Sequence, residues 1–161
     1  LITNDNLFAF SRAAPGQAAD VDAMIARWEH FDHEADIGVR GFGATKAAAF
    51  AQAARAMTAA ITDLDGLRPE VAVDLACEAP DDEILLVDWL NALVYAMATR
   101  HLLFGRFEVA IDGPRLTARA WGEPVDAVRH APAVEVKGAT FTALRVRPCD
   151  DGWVAQCVID V

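Results

Sequence analysis

The stretch Trp28-Glu29-His30-Phe31-Asp32-His33-Glu34-Ala35-Asp36-Ile37-Gly38-Val39-Arg40-Gly41-Phe42-Gly43 decides how the rest of the chain is read. Ionisable side chains crowd Glu29 to Asp36. Ile37 and Val39 then alternate with Gly38 and Arg40, the pattern of a half-buried strand. Gly41 and Gly43 read as a tight turn after it. Asp36 stands between Ala35 and Ile37, an apolar setting for a charge, and Asp160 stands likewise between Ile159 and Val161. A buried charge is costly unless it is paired or coordinated. If Val161 ends the chain, its carboxylate is ionised at neutral pH. The two ends are therefore expected to meet and hold a hard divalent cation through Asp36, Asp160 and Val161. Hydrogen bonding of both aspartates to backbone amides is the competing reading.

Thr45 is a helix N-cap, and Lys46 to Thr62 follows as a helix. Phe50, Ala53, Ala54, Met57 and Ile61 fall on one stripe of it, which is the spacing of core packing. Val71 to Cys77 alternates as a strand. Asp81, Asp82 and Glu83 crowd the start of a second helix, Asp82 to Thr99, where the dipole favours negative charge. Its buried face is Leu86, Leu90, Leu93 and Met97, flanked by Trp89.

The remainder reads as strand. Phe107, Val109 and Ile111 alternate, and Asp112-Gly113 turns, with Pro114 lengthening the loop. Leu116 to Trp121 returns, Gly122-Glu123-Pro124 breaks it, and Val125 to Pro132 is a loop. Val134 to Arg147 is a long strand or two, interrupted at Gly138, and Trp153 to Val161 closes the fold. The expected class is α+β, with two main helices against a mostly antiparallel or mixed sheet. One domain spans 28–161. Residues 1–27 form an appendage of no assigned role, with a short helix over Asp20 to Trp28.

Composition narrows the function. With 24 acidic and 14 basic residues the net charge is −10, which disfavours strong direct nucleic-acid binding and suits cations or a basic protein surface. No apolar run approaches the roughly 20 residues of a membrane span. No secretory signal is visible, so a cytoplasmic location is expected. Cys77, Cys149 and Cys157 make neither a disulfide framework nor a zinc knuckle and read as buried, inert thiols. His30 and His33 are three apart, so on a strand they face opposite sides. Gly38-x-x-Gly41-x-Gly43 is not a dinucleotide fingerprint, and Thr45 precedes Lys46, the wrong order for a phosphate loop. The only serine is Ser11, and no nucleophile elbow occurs.

Several stretches, in order, resemble the archease family. His33-Glu34-Ala35-Asp36-Ile37-Gly38-Val39 is similar to its H-[TE]-A-D-[VI]-G-[VI] signature. Leu85-Leu86-Val87-Asp88-Trp89-Leu90-Asn91 resembles its L-L-V-x-W-L-[NS] helix. Gly122-Glu123-Pro124 precedes a His130 loop, and Glu135-Val136-Lys137-Gly138-Ala139-Thr140 resembles its E-[VI]-K-A-[VI]-T strand. Trp153 to Val161 is similar to its closing W-x-[AV]-x-x-[VI]-x-D-[VI]. Gly138 and Phe141-Thr142 depart from the family pattern.

The resemblance implies an α+β domain with a divalent cation, taken to be calcium, on Asp36, Asp160 and Val161. It implies a partner, the GTP-dependent tRNA-splicing RNA ligase. The archease speeds guanylylation of that ligase and its multiple-turnover RNA joining, and makes no bond itself. The competing expectations are a metal-dependent phosphoester hydrolase using Asp36 and Asp160, and a general chaperone-like binding module. Lys137 and His33 are further candidate contacts near the site.

Overall fold

In the computed structural model, which describes residues 25–161, the opening stretch is a hairpin. Strands β1 (Arg27–His33) and β2 (Asp36–Gly43) pair antiparallel across the turn Glu34-Ala35. Arg27 and Trp28, expected to close a helix over Asp20 to Trp28, instead open β1; residues 20–24 lie outside those described. Gly41 and Gly43 do not turn the chain but extend β2. The reason is the first helix, α1 (Lys46–Ile61), which crosses directly over them. A Cβ on Gly41 would lie 2.2 Å from the Ala49 carbonyl oxygen and 2.3 Å from the Ala53 nitrogen.

Helix α1 begins where Thr45 accepts the Ala48 N–H at 3.1 Å. Its predicted stripe of Phe50, Ala53, Ala54, Met57 and Ile61 is buried. After a 3₁₀ turn at Leu64–Gly66, β3 (Val71–Glu78) leads to α2 (Asp82–Arg100). The Asp81 carboxylate caps α2 by accepting the Ile84 N–H at 2.8 Å. Asp82 pairs with Lys46 at 2.9 Å, which ties together the first turns of the two helices. The acidic run 81–83 is thus a helix start. His101, at φ +54°, caps the other end in the left-handed region.

Strands β4 (Leu102–Asp112) and β5 (Arg115–Pro124) form a second hairpin. Its loop is the two residues Gly113-Pro114, shorter than expected. Gly113 takes φ +55°, and the fixed φ of proline suits the position after it. Strand β5 also runs through Gly122-Glu123-Pro124, where a break was expected, because Gly122 and Glu123 still pair with Phe104 and Leu103. A short helix, α3 (Ala127–His130), follows.

The long strand expected over Val134 to Arg147 is mostly unpaired. Only β6 (Gly138–Ala139) and β7 (Arg145–Cys149) join the ladder, both against β8 (Gly152–Asp160). At two points of the stretch after His130, other partners take the backbone N–H. The Ala133 N–H donates to the Ile61 carbonyl at 2.8 Å. The Ala139 N–H donates to Asn91 Oδ1 on α2 at 2.8 Å.

The sheets are β1-β2-β8-β6, with β7 also on β8, and β3-β5-β4; every pairing is antiparallel. The helices lie between them: α1 touches β1, β2 and β8 and also β4, while α2 touches β3 and β6. The class is α+β, as expected. Trp89 is fully buried where these layers meet. Its indole N–H donates to the Phe50 carbonyl at 3.1 Å, and its ring meets Phe107 edge-on at 6.0 Å. Burying each such large apolar side chain stabilises the fold by roughly 1.5–3 kcal/mol.

Gly41→Ala is expected to destabilise the domain by about 1–3 kcal/mol, because the methyl meets helix backbone rather than a movable side chain. Urea unfolding followed by tryptophan fluorescence measures this, and an unchanged midpoint would refute the close-approach argument.

Candidate functional site

Antiparallel register places directly opposed side chains on one face of a sheet. Val39 is paired with Cys157, and both are buried against the helices. Residues 36, 38 and 40 of β2 therefore point outward. On that outer face Arg40 is opposite Glu29 on β1 and Gln156 on β8. The Phe31 ring lies across Gly38, so that a Cβ there would sit 2.3 Å from the ring.

One end of this face gathers the expected site residues. His33 is opposite Asp36 in β1–β2, and Gly138 is opposite Asp160 in β6–β8. Ile37 is paired with Ile159, so the next step outward sets Asp36 against Asp160. His33, Asp36, Asp160 and Gly138 thus form one row across four strands. Asp36, Asp160 and Val161 are all half-buried. Lys137 Nζ donates to a Val161 oxygen at 3.2 Å, and its backbone N–H donates to the Asp160 carbonyl at 2.9 Å.

Two carboxylates directly opposed across strands repel one another. A cation between them removes that repulsion, and oxygen donors suit a hard one. The residues present therefore fit a divalent cation of the calcium type, provided water or a partner completes its shell of six to eight oxygens. Among the described residues, no group of three or more His, Cys, Asp or Glu side chains is arranged to hold a metal. His33 shares the row, and its Nδ1 is buried without a hydrogen-bond partner. His30 points the other way, as strand geometry requires, and its Nε2–H donates to the Ala56 carbonyl at 2.7 Å.

Sequence reasoning missed a second buried charge, Glu123, which is 1% exposed. Burial alone pushes its carboxyl up. Hydrogen bonds from His130 and Arg129, an Arg68 backbone N–H and the Arg129 charge outweigh burial and hold it at about 2. His130 Nδ1 accepts the Asp126 N–H at 2.8 Å, which leaves Nε2–H to donate to Glu123 at 2.6 Å. The Thr62 hydroxyl donates to the His130 carbonyl at 2.6 Å. This network ties the end of β5 and α3 to the end of α1. The Gly122-Glu123-Pro124…His130 spacing was its only sequence signal.

The thiols separate by environment. Burial pushes Cys157 up to about 12, and burial with the nearby Asp88 charge raises Cys77. Cys149 is exposed, contrary to expectation, because β7 is an edge strand. Among the described residues no helix is long and apolar enough to cross a membrane.

The two-sheet α+β domain with an acidic row at one sheet end matches a known family. The sequence model of the archease protein family matches residues 28–161. Protein archease of Pyrococcus furiosus is 38% identical over 142 residues, covering 85% of this chain and 100% of that one. Protein archease of Methanosarcina barkeri is 34% identical, covering 84% and 96%. The solution structure of Methanobacterium thermoautotrophicum protein 1598 superposes with a TM-score of 0.74 at 31% identity, covering 83% of this chain and 98% of that one. The chain belongs to the archease family. Membership supports a ligase-associated accessory role at the level of the family.

Glu123 also predicts a pH dependence. Its folded pKa of about 2 lies below the ordinary value of 4.5, so its stabilising contribution is full above that value and is lost as pH falls toward 2. In acid titrations followed by circular dichroism, Glu123→Gln is expected to be less stable at pH 7. Its stability should also fall less steeply than wild type between pH 4.5 and 2. Parallel curves would refute the assignment.

Proposed function

We propose that this protein is a non-enzymatic activator of a GTP-dependent RNA ligase. In this reading it promotes guanylylation of the ligase and RNA joining over many turnovers. Asp36, Asp160 and the terminal carboxylate of Val161, where the chain ends there, hold a divalent cation; oxygen donors suit a hard ion, and the resemblance to the family favours calcium among these. The observation that carries the reading is the β2–β8 register: its last pair is Ile37 with Ile159, which leaves Asp36 and Asp160 next to each other at the rim of an outer sheet face. Family membership supports a ligase as the partner.

The chain's own groups define what the site does. Asp36 and Asp160 are presented by two paired strands, so their separation is fixed by the ladder and not by a loop. Lys137 holds the Val161 oxygen in place and limits the local excess of negative charge. When bound, the cation supplies a positive charge with open positions for phosphate oxygens of a partner-bound nucleotide. Half-burial at the rim leaves the group reachable by a second protein.

Calcium titration calorimetry on wild type is expected to show one site, lost in Asp36→Ala and in Asp160→Ala. Ligation by the cognate ligase over many turnovers is expected to accelerate with wild type and with neither variant. Acceleration that survives both substitutions would sink the cation part of the reading. No acceleration by wild type would sink the activator reading.

A further inference from the structure

Part of the outer face of the five-stranded sheet carries a charge opposite to that of the whole chain. Net charge is −10, yet two adjacent rows of this face hold four arginines and one acid. The first row runs from Arg27 on β1 to Arg147 on β7. The second runs Glu29, Arg40, Gln156, Arg145. Glu29 is shared by Arg27 and Arg40, and the Arg40 hydrogen bond is the main force holding its carboxyl below the usual range. Arg40 Nε donates to Gln156 Oε1 at 2.7 Å, and Gln156 Nε2 donates to the Ala143 carbonyl at 3.0 Å. Arg145 and Arg147 are exposed, and neither takes part in any ion pair among the described residues.

The other sheet provides the contrast. On its outer face Arg106, Arg115 and Arg119 are each paired one to one, with Glu108, Glu78 and Asp74. That face is neutralised internally, and the five-stranded one is not. The spacing of the outer arginines, Arg145 and Arg147 unpaired and Arg27 shared with Glu29, bears on the ligand. Arg145 and Arg147 are two strand positions apart, about 7 Å, and Arg27 lies three strand spacings away from Arg147, about 14 Å. Planar forks repeating along a strand at about that interval suit successive phosphates of an extended single strand, which arginine grips in bidentate fashion. The Phe31 and Phe42 rings lie beneath Arg40 and Arg27, at 4.7 and 3.6 Å, and so offer no free face for stacking bases.

We propose that this arginine face binds the phosphate backbone of single-stranded RNA, weakly and without sequence preference. The choice of RNA over other polyphosphates rests on the ligase reading; the anion chemistry does not. The face is continuous with the Asp36–Asp160 row, two rows from the Arg40 row, or roughly 14 Å along the strands. A strand laid on the arginines reaches the acidic rim with its end.

The test is fluorescence anisotropy of a labelled 20-nucleotide RNA with the full chain and no ligase, so that its failure is separate from any failure of ligase activation. Contacts from Arg27, Arg145 and Arg147 give a log–log salt slope of about −2, which is roughly a twentyfold loss of affinity between ~50 and ~200 mM salt. Arg145→Ala with Arg147→Ala is expected to weaken binding at least tenfold and to cut the slope to about −0.7. Arg106→Ala on the other sheet should retain binding. Lysine at both positions 145 and 147 should preserve the slope, which separates charge from folding. No binding at ~50 mM salt, or equal binding by the double alanine variant, would overturn the proposal. So would a double variant that leaves RNA binding unchanged and loses capture by the cognate ligase, which would assign the face to an acidic protein partner.

Discussion

The pairing of β2 with β8 is the constraint on which the rest of the structure depends. It joins an early strand to the last one and fixes both faces of the larger sheet in a single register. Inward it sets Val39 beside Cys157 under the helices. Outward it sets Arg40 beside Gln156, and it ends at Ile37 and Ile159, one step short of Asp36 and Asp160. A slip of one residue would send every one of these side chains to the opposite face. The acidic row and the arginine rows are therefore products of the same alignment that builds the core.

How close the helices come to that sheet is decided by glycine. Gly41 and Gly43 lie where α1 crosses β2, and any side chain there would meet helix backbone. Alanines along α1 match this on the other side of the contact. Trp89 then fixes the second helix to the first through the Phe50 carbonyl. The Lys46–Asp82 pair and the Glu123–His130–Arg129 network secure the two ends of this helical layer.

Much of this was readable in the sequence, where a local period carried it. The stripes of both helices, the cap at Thr45, the acidic start of α2, and the opposite outlooks of His30 and His33 all follow from local sequence. Several failures share one physical cause: glycine and proline read as punctuation where tertiary contact makes them part of a strand. Gly41, Gly43, Gly122 and Pro124 sit inside ladders because a helix or a neighbouring strand comes close to them. The stretch after His130 failed in the opposite sense. Its apolar residues look like a strand, but Ile61 and Asn91 take the hydrogen bonds that a ladder would have made. At the site, the acids were visible as isolated charges in apolar settings. The arginine rows were not, because Arg27, Arg40, Arg145 and Arg147 come together only through the register of four strands.

The glycines of β2 have one more effect, exerted before the fold exists. Strand β8 is the final strand, so β2 must keep one edge open until the last part of the chain has arrived and closed a long loop. Folds dominated by such distant pairings form slowly. An open edge is a template for other chains throughout that time. With Gly38, Gly41 and Gly43 in eight residues, β2 has little intrinsic preference for extended pairing and offers few side chains for another strand to grip. The residues that let α1 lie close in the finished protein also guard the unfinished one against aggregation.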